Sequence, residues 1–246
     1  MIMDSWGITD KGIMRTQNQD AYYTFCDGAK GVAAFIVCDG MGGHQAGNVA
    51  SEIAASVFVH EHRRVAEPEP TVEKARLVLD DIAEKANAMI FDLANSDARY
   101  SGMGTTMVSC AVVGGDAVVM NVGDSRAYMI SDGRITQISK DHSVVEEMID
   151  RGEITREESR SHPKKNLITR AVGTVKEIEC DDFIFQLEEG DYILLCSDGL
   201  SNVVTDEEIL RSVTDTETLE AACEALVRLA LVRGAPDNVT IVLFRR

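Results

Sequence analysis

The period of the apolar residues changes twice along this chain, and those two changes limit its architecture more than any other feature. Before residue 39 the apolar residues fall in short extended runs, at 6–9, 21–25 and 32–38. A glycine-rich turn follows, Asp39-Gly40-Met41-Gly42-Gly43-His44, and then the spacing becomes helical. Val49, Ile53, Val57 and His60 share one face, with Ala50, Ala54 and Phe58 beside them. Glu67-Pro68-Glu69-Pro70 stops this helix. A second one carries Val72, Ala75, Leu79, Ile82, Ala86, Met89 and Leu93 at helical spacing. The link between them is short, which predicts an antiparallel helix pair.

Beyond Gly102 the chain is extended again. Residues 105–113, 117–122, 126–130 and 135–138 read as a meander, with Asp132-Gly133 as a hairpin turn. A short helix is expected over 143–151, ended by Gly152, then an exposed mobile segment over 154–166 that contains Pro163. Strands resume at 182–187 and 192–196. Thr205-Asp206-Glu207-Glu208 has the form of a capping box. A helix over about 217–232 and a strand over 239–244 complete the chain. This order lacks the alternation of a doubly wound sheet. It predicts an α+β fold of two mostly antiparallel sheets packed together, with helices outside. No linker-like stretch divides the chain, so one domain over 1–246 is expected.

Four aspartates stand where an apolar run breaks, and three of them have a glycine beside them. They are Asp39 after Phe35-Ile36-Val37-Cys38, Asp124 after Met120-Asn121-Val122-Gly123, Asp198 after Leu194-Leu195-Cys196-Ser197, and Asp237 in Ala235-Pro236-Asp237-Asn238. One such Asp is ordinary turn chemistry. Four of them, with Asp20 in Arg15-Thr16-Gln17-Asn18-Gln19-Asp20, suggest an oxygen-lined pocket for hard divalent cations.

The bulk numbers narrow the partners. A net charge of −17 disfavours nucleic acid, because phosphate backbones bind through Lys and Arg. It does not disfavour a phosphorylated substrate if bound cations reverse the field at the site. None of the six cysteines forms a Cys-x-x-Cys pair or clusters with histidine, so zinc and thioredoxin-like readings fail. No apolar run is long enough to insert in a membrane, and the first residues lack signal-peptide character. A cytoplasmic location is the expectation.

In order, the chain carries Arg15-Thr16-Gln17-Asn18-Gln19-Asp20, Asp39-Gly40-Met41-Gly42-Gly43-His44, Gly104-Thr105-Thr106, Gly123-Asp124-Ser125-Arg126, Asp141-His142-Ser143, Ser197-Asp198-Gly199 and Asp237-Asn238. These motifs resemble the metal-dependent serine/threonine protein phosphatases of the PPM, or type 2C, family, and most of all its compact bacterial members. The resemblance implies a four-layer α-β-β-α sandwich of two mostly antiparallel sheets flanked by helices, with a flap at about 141–173. It implies two Mg2+ or Mn2+ ions bridged by a hydroxide that attacks the phosphorus of phosphoserine or phosphothreonine. Asp39 would bridge both ions, the Gly40 carbonyl would bind one, and Asp198 and Asp237 would complete the shell of the other. Asp20 would orient bound waters, and Asp124 would help hold a third ion.

By the same resemblance Arg15 would grip the phosphate, and its planar fork of donors suits that dianion. His44 is a candidate general acid, although many eukaryotic members of the family place a histidine directly after Asp-Gly, where this chain has Met41. The implied partners are phosphorylated proteins and a cognate Ser/Thr kinase, with a monomer expected. Three other functions compete with opposing a kinase. They are action on a partner-switching regulator, a non-catalytic phosphoprotein-binding member, and another two-metal hydrolase such as a nuclease. The nuclease lacks its basic groove, and the retained aspartates argue against the non-catalytic member.

Overall fold

The computed structural model describes residues 3–43, 46–66 and 69–246. Three strands open the chain: β1 (Asp4–Asp10), β2 (Asp20–Asp27) and β3 (Val32–Met41). Helices α1 (Ala46–Glu61) and α2 (Val72–Ser96) follow. Next come β4 (Gly104–Thr105), β5 (Met107–Val113), β6 (Asp116–Val122), β7 (Arg126–Ser131) and β8 (Arg134–Gln137). The flap carries α3 (Val144–Asp150) and α4 (Arg156–Ser159). The chain closes with β9 (Asp181–Gln186), β10 (Tyr192–Cys196), α5 (Asp198–Ser201), α6 (Asp206–Thr214), α7 (Leu219–Val232) and β11 (Val239–Arg245).

Two antiparallel sheets result. One has the order β1-β11-β10-β7-β8, the other β2-β3-β5-β6-β9, with β4 paired to β3. Period-two alternation sorts the side chains into three apolar layers. On β3, Val32, Ala34, Ile36 and Cys38 face the layer shared with α1 and α2. Ala33, Phe35 and Val37 face the space between the sheets. On β11, Val239, Ile241 and Leu243 pack toward α6 and α7, while Val242 and Phe244 point inward. Phe35 and Phe244 stack across the sheets with ring centroids 5.4 Å apart. Truncating such a buried ring to Ala costs about 3–5 kcal/mol. The architecture is the expected helix–sheet–sheet–helix sandwich.

One expectation fails in an informative way. The four segments after Gly102 do not form a meander. β5 and β6 pair in one sheet, whereas β7 and β8 pair in the other, with β7 beside β10. The chain changes sheets at Gly123-Asp124-Ser125, where Gly123 has φ +106. A side chain there would stand 2.6 Å from Thr106 Cγ2, so both the conformation and the space require glycine. The crossover puts Asp124 at the end of the sandwich. The expected strand over 105–113 also breaks at Thr106, whose amide and hydroxyl serve Asp39 (below). The segment 154–166 is largely exposed, as expected, but holds one helical turn. Thr155 caps it, and Glu158 returns the bond in a capping box.

Candidate active site

In antiparallel sheets, the end of one strand lies beside the start of the next. Asp39 lies near the end of β3, and Asp20 begins β2 directly opposite it. Asp124 follows β6, Asp198 follows β10, and Asp237 precedes β11. All five therefore reach the same end of the sandwich. Arg15, Gln19, Asp39, Gly40, Thr106, Asp124, Asp198 and Asp237 line one cavity of about 230 Å3, closed on the flap side by Asn166 and Ile168. Asp20 lies behind this wall.

Hydroxyls and amides fix each acid. The Asp39 amide donates to Thr106 Oγ1 at 2.9 Å, and the Asp39 carbonyl accepts from the Thr106 amide at 2.9 Å and from Thr105 Oγ1 at 3.0 Å. Thr106 Oγ1 is in turn 2.7 Å from Ser125 Oγ, next to Asp124. Asp20 Oδ2 accepts from Ser197 Oγ at 2.8 Å and from Thr240 Oγ1 at 2.6 Å. Asp198 opens the short α5, and its Oδ2 accepts from Asn202 Nδ2 at 2.9 Å. Arg15 Nη2 donates to Asp237 Oδ2 at 2.6 Å. Gly40 is pressed against the first turn of α1: a side chain on it would meet the Gly47 carbonyl oxygen at 2.1 Å. Only glycine allows that approach.

Burial raises the pKa of four of these carboxyls. Desolvation pushes up Asp20, with Ser197 and Thr240 opposing it and Asp198 adding to it. Desolvation, then the charges of Asp20 and Asp198, hold Asp39 well above the usual carboxylate range. Asp124 and Asp198 are raised by desolvation and then by a neighbouring aspartate, Asp198 for the first and Asp237 for the second. Like charges crowded in a cleft mark a site that expects a compensating cation.

The donor set fits a divalent hard cation. It is oxygen-only, and two buried carboxylate oxygens, Asp20 Oδ1 and Asp198 Oδ1, have no hydrogen-bond donor. Among the described residues no three acidic, histidine or cysteine side chains converge on one point closely enough to cage an ion alone. Asp237 spends one oxygen on Arg15, so the carboxylates surround the cavity without closing on a single centre. Carbonyls and waters would complete such a shell.

The structure thus brings Arg15, Asp39, Gly40, Asp124, Asp198 and Asp237 to one cavity, with Asp20 behind it. His44 lies outside the described residues. Sequence reasoning missed Asn166 and Ile168, because a polar loop carries no periodicity to aim them. It also gave Asn238 no role. That side chain donates to the Lys11 and Gln17 carbonyls at 2.8 and 3.0 Å and accepts from the Gln19 amide at 2.9 Å. Asn238 thereby ties the loop bearing Arg15 and Asp20 to the turn bearing Asp237.

The family model for protein phosphatase 2C matches residues 14–231. Protein phosphatase PhpP of Streptococcus pneumoniae is 39% identical over 96% of this chain and 94% of its own length. The serine/threonine phosphatase stp of Listeria monocytogenes is 35% identical over 97% of this chain and 94% of its own. The crystal structure of the serine/threonine phosphatase Stp1 from Staphylococcus aureus superimposes with a TM-score of 0.92 at 38% identity, covering 100% of this chain and 96% of that one. The catalytic domain of PstP in complex with two manganese ions gives a TM-score of 0.86 at 35% identity, covering 99% and 97%. With the motifs, the sandwich and the acidic cavity in agreement with these matches, the chain belongs to the protein phosphatase 2C family.

Proposed function

We propose that this chain hydrolyses phosphoserine and phosphothreonine in proteins with the help of two Mg2+ or Mn2+ ions, and that it opposes a Ser/Thr kinase. The observation that carries this reading is the gathering of Asp39, Asp124, Asp198 and Asp237 around one cavity beside Arg15. Asp39, Gly40, Asp198 and Asp237 would hold the two ions, and Asp124 a third. When bound, the ions would supply an activated water and neutralise the phosphate. The protein's own residues do the rest. Arg15 offers a guanidinium at the cavity mouth to orient the phosphoryl oxygens. Asp20, buried behind the cavity wall with one oxygen unpartnered, would orient the waters bound to the ions from there. Thr105 and Thr106 keep the Asp39 backbone from shifting. None of the cysteines or serines lining the fold is asked to act as a nucleophile.

The test is phosphate release from a phosphothreonine peptide with Mn2+, with EDTA, and in Asp39→Asn. EDTA should abolish release and Mn2+ restore it. The variant should lose turnover by orders of magnitude while its far-UV spectrum stays native. Full activity in EDTA would falsify the proposal. Assays on the phosphoprotein pool of the source cell, with candidate kinases deleted one at a time, test the kinase pairing.

A further inference from the structure

The Asp141-His142-Ser143 motif has no part in the reading above, yet the structure gives each residue a definite task. Asp141 accepts Arg126 Nε at 3.0 Å and Nη2 at 2.6 Å, and Gln137 Nε2 at 2.9 Å, which fixes the chain entering the flap. Ser143 caps α3 by accepting the Glu146 amide at 3.2 Å. His142 sits between them, 7% exposed, and reaches two walls of the acidic cavity.

The first wall is the crossover turn. The buried Gly123 amide donates to His142 Nδ1 at 3.1 Å, and the His142 amide donates to the Gly123 carbonyl at 2.9 Å. Gly123 directly precedes Asp124 and is blocked on its other side by Thr106. The second wall is the base of the flap. The His142 carbonyl accepts from the Thr169 amide at 2.8 Å, and the Val144 amide donates to the Leu167 carbonyl at 2.9 Å. These bonds bracket Ile168, which lines the cavity with Asn166.

An imidazole that accepts at Nδ1 must carry its hydrogen at Nε2. That nitrogen faces Asp181 Oδ2 at 3.2 Å, and Asp181 Oδ1 accepts from Arg170 Nη1 at 2.9 Å. The ring is thus held from β9 and from the flap while it grips the turn. Backbone bonds join residues 142–144 to 167–169 and tie the His142 amide to the Gly123 carbonyl. The imidazole adds a second, side-chain bond to that turn, at the buried amide beside Asp124.

We propose that His142 is a positioning residue that couples the flap to Asp124, so that a divalent cation held at Asp124 steadies the flap base. The proposal rests on the reading of the cavity as a metal site. Its logic is linkage: whatever fixes the Gly123 turn also fixes the acceptor geometry of the ring, and through it segment 167–170.

The experiment is amide hydrogen exchange of the full chain with and without Mn2+, followed in segments 120–126 and 164–172. In the wild type Mn2+ should slow exchange in both. In His142→Leu it should still slow 120–126, but exchange in 164–172 should run faster by roughly five- to tenfold, the size expected for one lost hydrogen bond. His142→Gln, whose amide can accept from Gly123 and donate to Asp181, should restore the protection. Asp181→Ala, on an edge strand, cuts the outer anchor and should weaken the Mn2+ effect on 164–172 even if the leucine variant fails to fold. Equal Mn2+ protection of 164–172 in the wild type and in either disabling variant overturns the coupling. So does Mn2+ protection of 120–126 alone in the wild type. If Mn2+ protects neither segment in the wild type, the metal reading of the cavity falls and the coupling falls with it.

Discussion

Asp20 and Asp39 stand directly opposite each other on neighbouring antiparallel strands, and only Asp39 faces the cavity. Like charges in that register destabilise a sheet. The pair persists because Asp20 is held by two buried hydroxyls from the other sheet, Ser197 and Thr240, while Asp39 opens toward the site. The fold therefore crowds together acids that repel one another.

That repulsion predicts an inverted pH dependence of stability. Asp20, Asp39, Asp124 and Asp198 all have folded-state values raised above the ordinary carboxylate range, with burial as the largest cause. Below the unfolded value, near 3.9, both states are protonated and these groups contribute no slope. Above it the unfolded chain ionises first, so the folded state binds more protons and stability falls as pH rises. In EDTA, these four groups should make Tm decline from roughly pH 5 to pH 8. A cation reverses the loss, so the gain in Tm on adding Mn2+ should grow with pH. Occupancy at about 100 times Kd adds roughly 2.7 kcal/mol, at about 2–4 °C per kcal/mol. Scanning calorimetry at several pH values checks this. A metal-free Tm that rises over the window would remove the carboxylate cluster as its cause.

The hydroxyl cradle of Asp20 gives a second prediction. Thr240 is fully buried and donates at 2.6 Å. Thr240→Val keeps the shape and removes the donor. Hydrogen bonds to a charged group are worth about 1.5–3 kcal/mol, so urea unfolding should show a loss of that order at high pH, where Asp20 is ionised. At low pH the loss should shrink, because a protonated carboxyl needs the donor less. A loss independent of pH would mean that Thr240 acts through packing.

How far the sequence alone reaches follows from where each signal is stored. Period-two runs such as 32–38 and the two helical stretches marked the layers, because burial on one face writes itself into local spacing. Asp39, Asp198 and Asp237 were legible because each breaks an apolar run. The change of sheet at Gly123 was not, since nothing in residues 117–130 says that β7 pairs with β10 and not with β6. Asn166, Ile168, Ser197 and Thr240 reach the site through tertiary pairing across 30 to more than 200 residues, and no local pattern encodes that.

Arg15 supplies a prediction that separates two roles. Its guanidinium is half exposed and bonds Asp237 at 2.6 Å. If it reads the phosphate, Arg15→Ala should raise KM for phosphopeptides by roughly tenfold or more, the weight of one charge-assisted bond. The Mn2+ concentration for half-maximal activity should not rise, because freeing Asp237 leaves its carboxylate more available. A tenfold rise in the Mn2+ requirement with KM unmoved would make Arg15 a brace for Asp237.

The flap divides its cations between two tasks, and the division can be tested. Arg156 lies two-pronged on buried Glu146, with Nη2–Oε1 2.7 Å and Nη1–Oε2 2.9 Å, so it fastens α4 to α3. Arg160 and Lys165 pair with no acidic side chain among the described residues. Both line a second cavity of about 160 Å3 that shares Asp124 and Asp198 with the first. Remote contacts of this kind raise kcat/KM for large substrates only. Replacing Arg160 and Lys165 together with Ala should lower kcat/KM for phosphopeptides with an acidic residue near the phosphate. Neutral phosphopeptides and p-nitrophenyl phosphate should change little. Arg156→Ala should instead lower all three and loosen the flap, because it exposes a buried carboxylate without its partner. Comparing the three kcat/KM values for each variant decides the matter. A uniform fall in the double variant would assign Arg160 and Lys165 to holding the flap in place, with no part in selecting substrates.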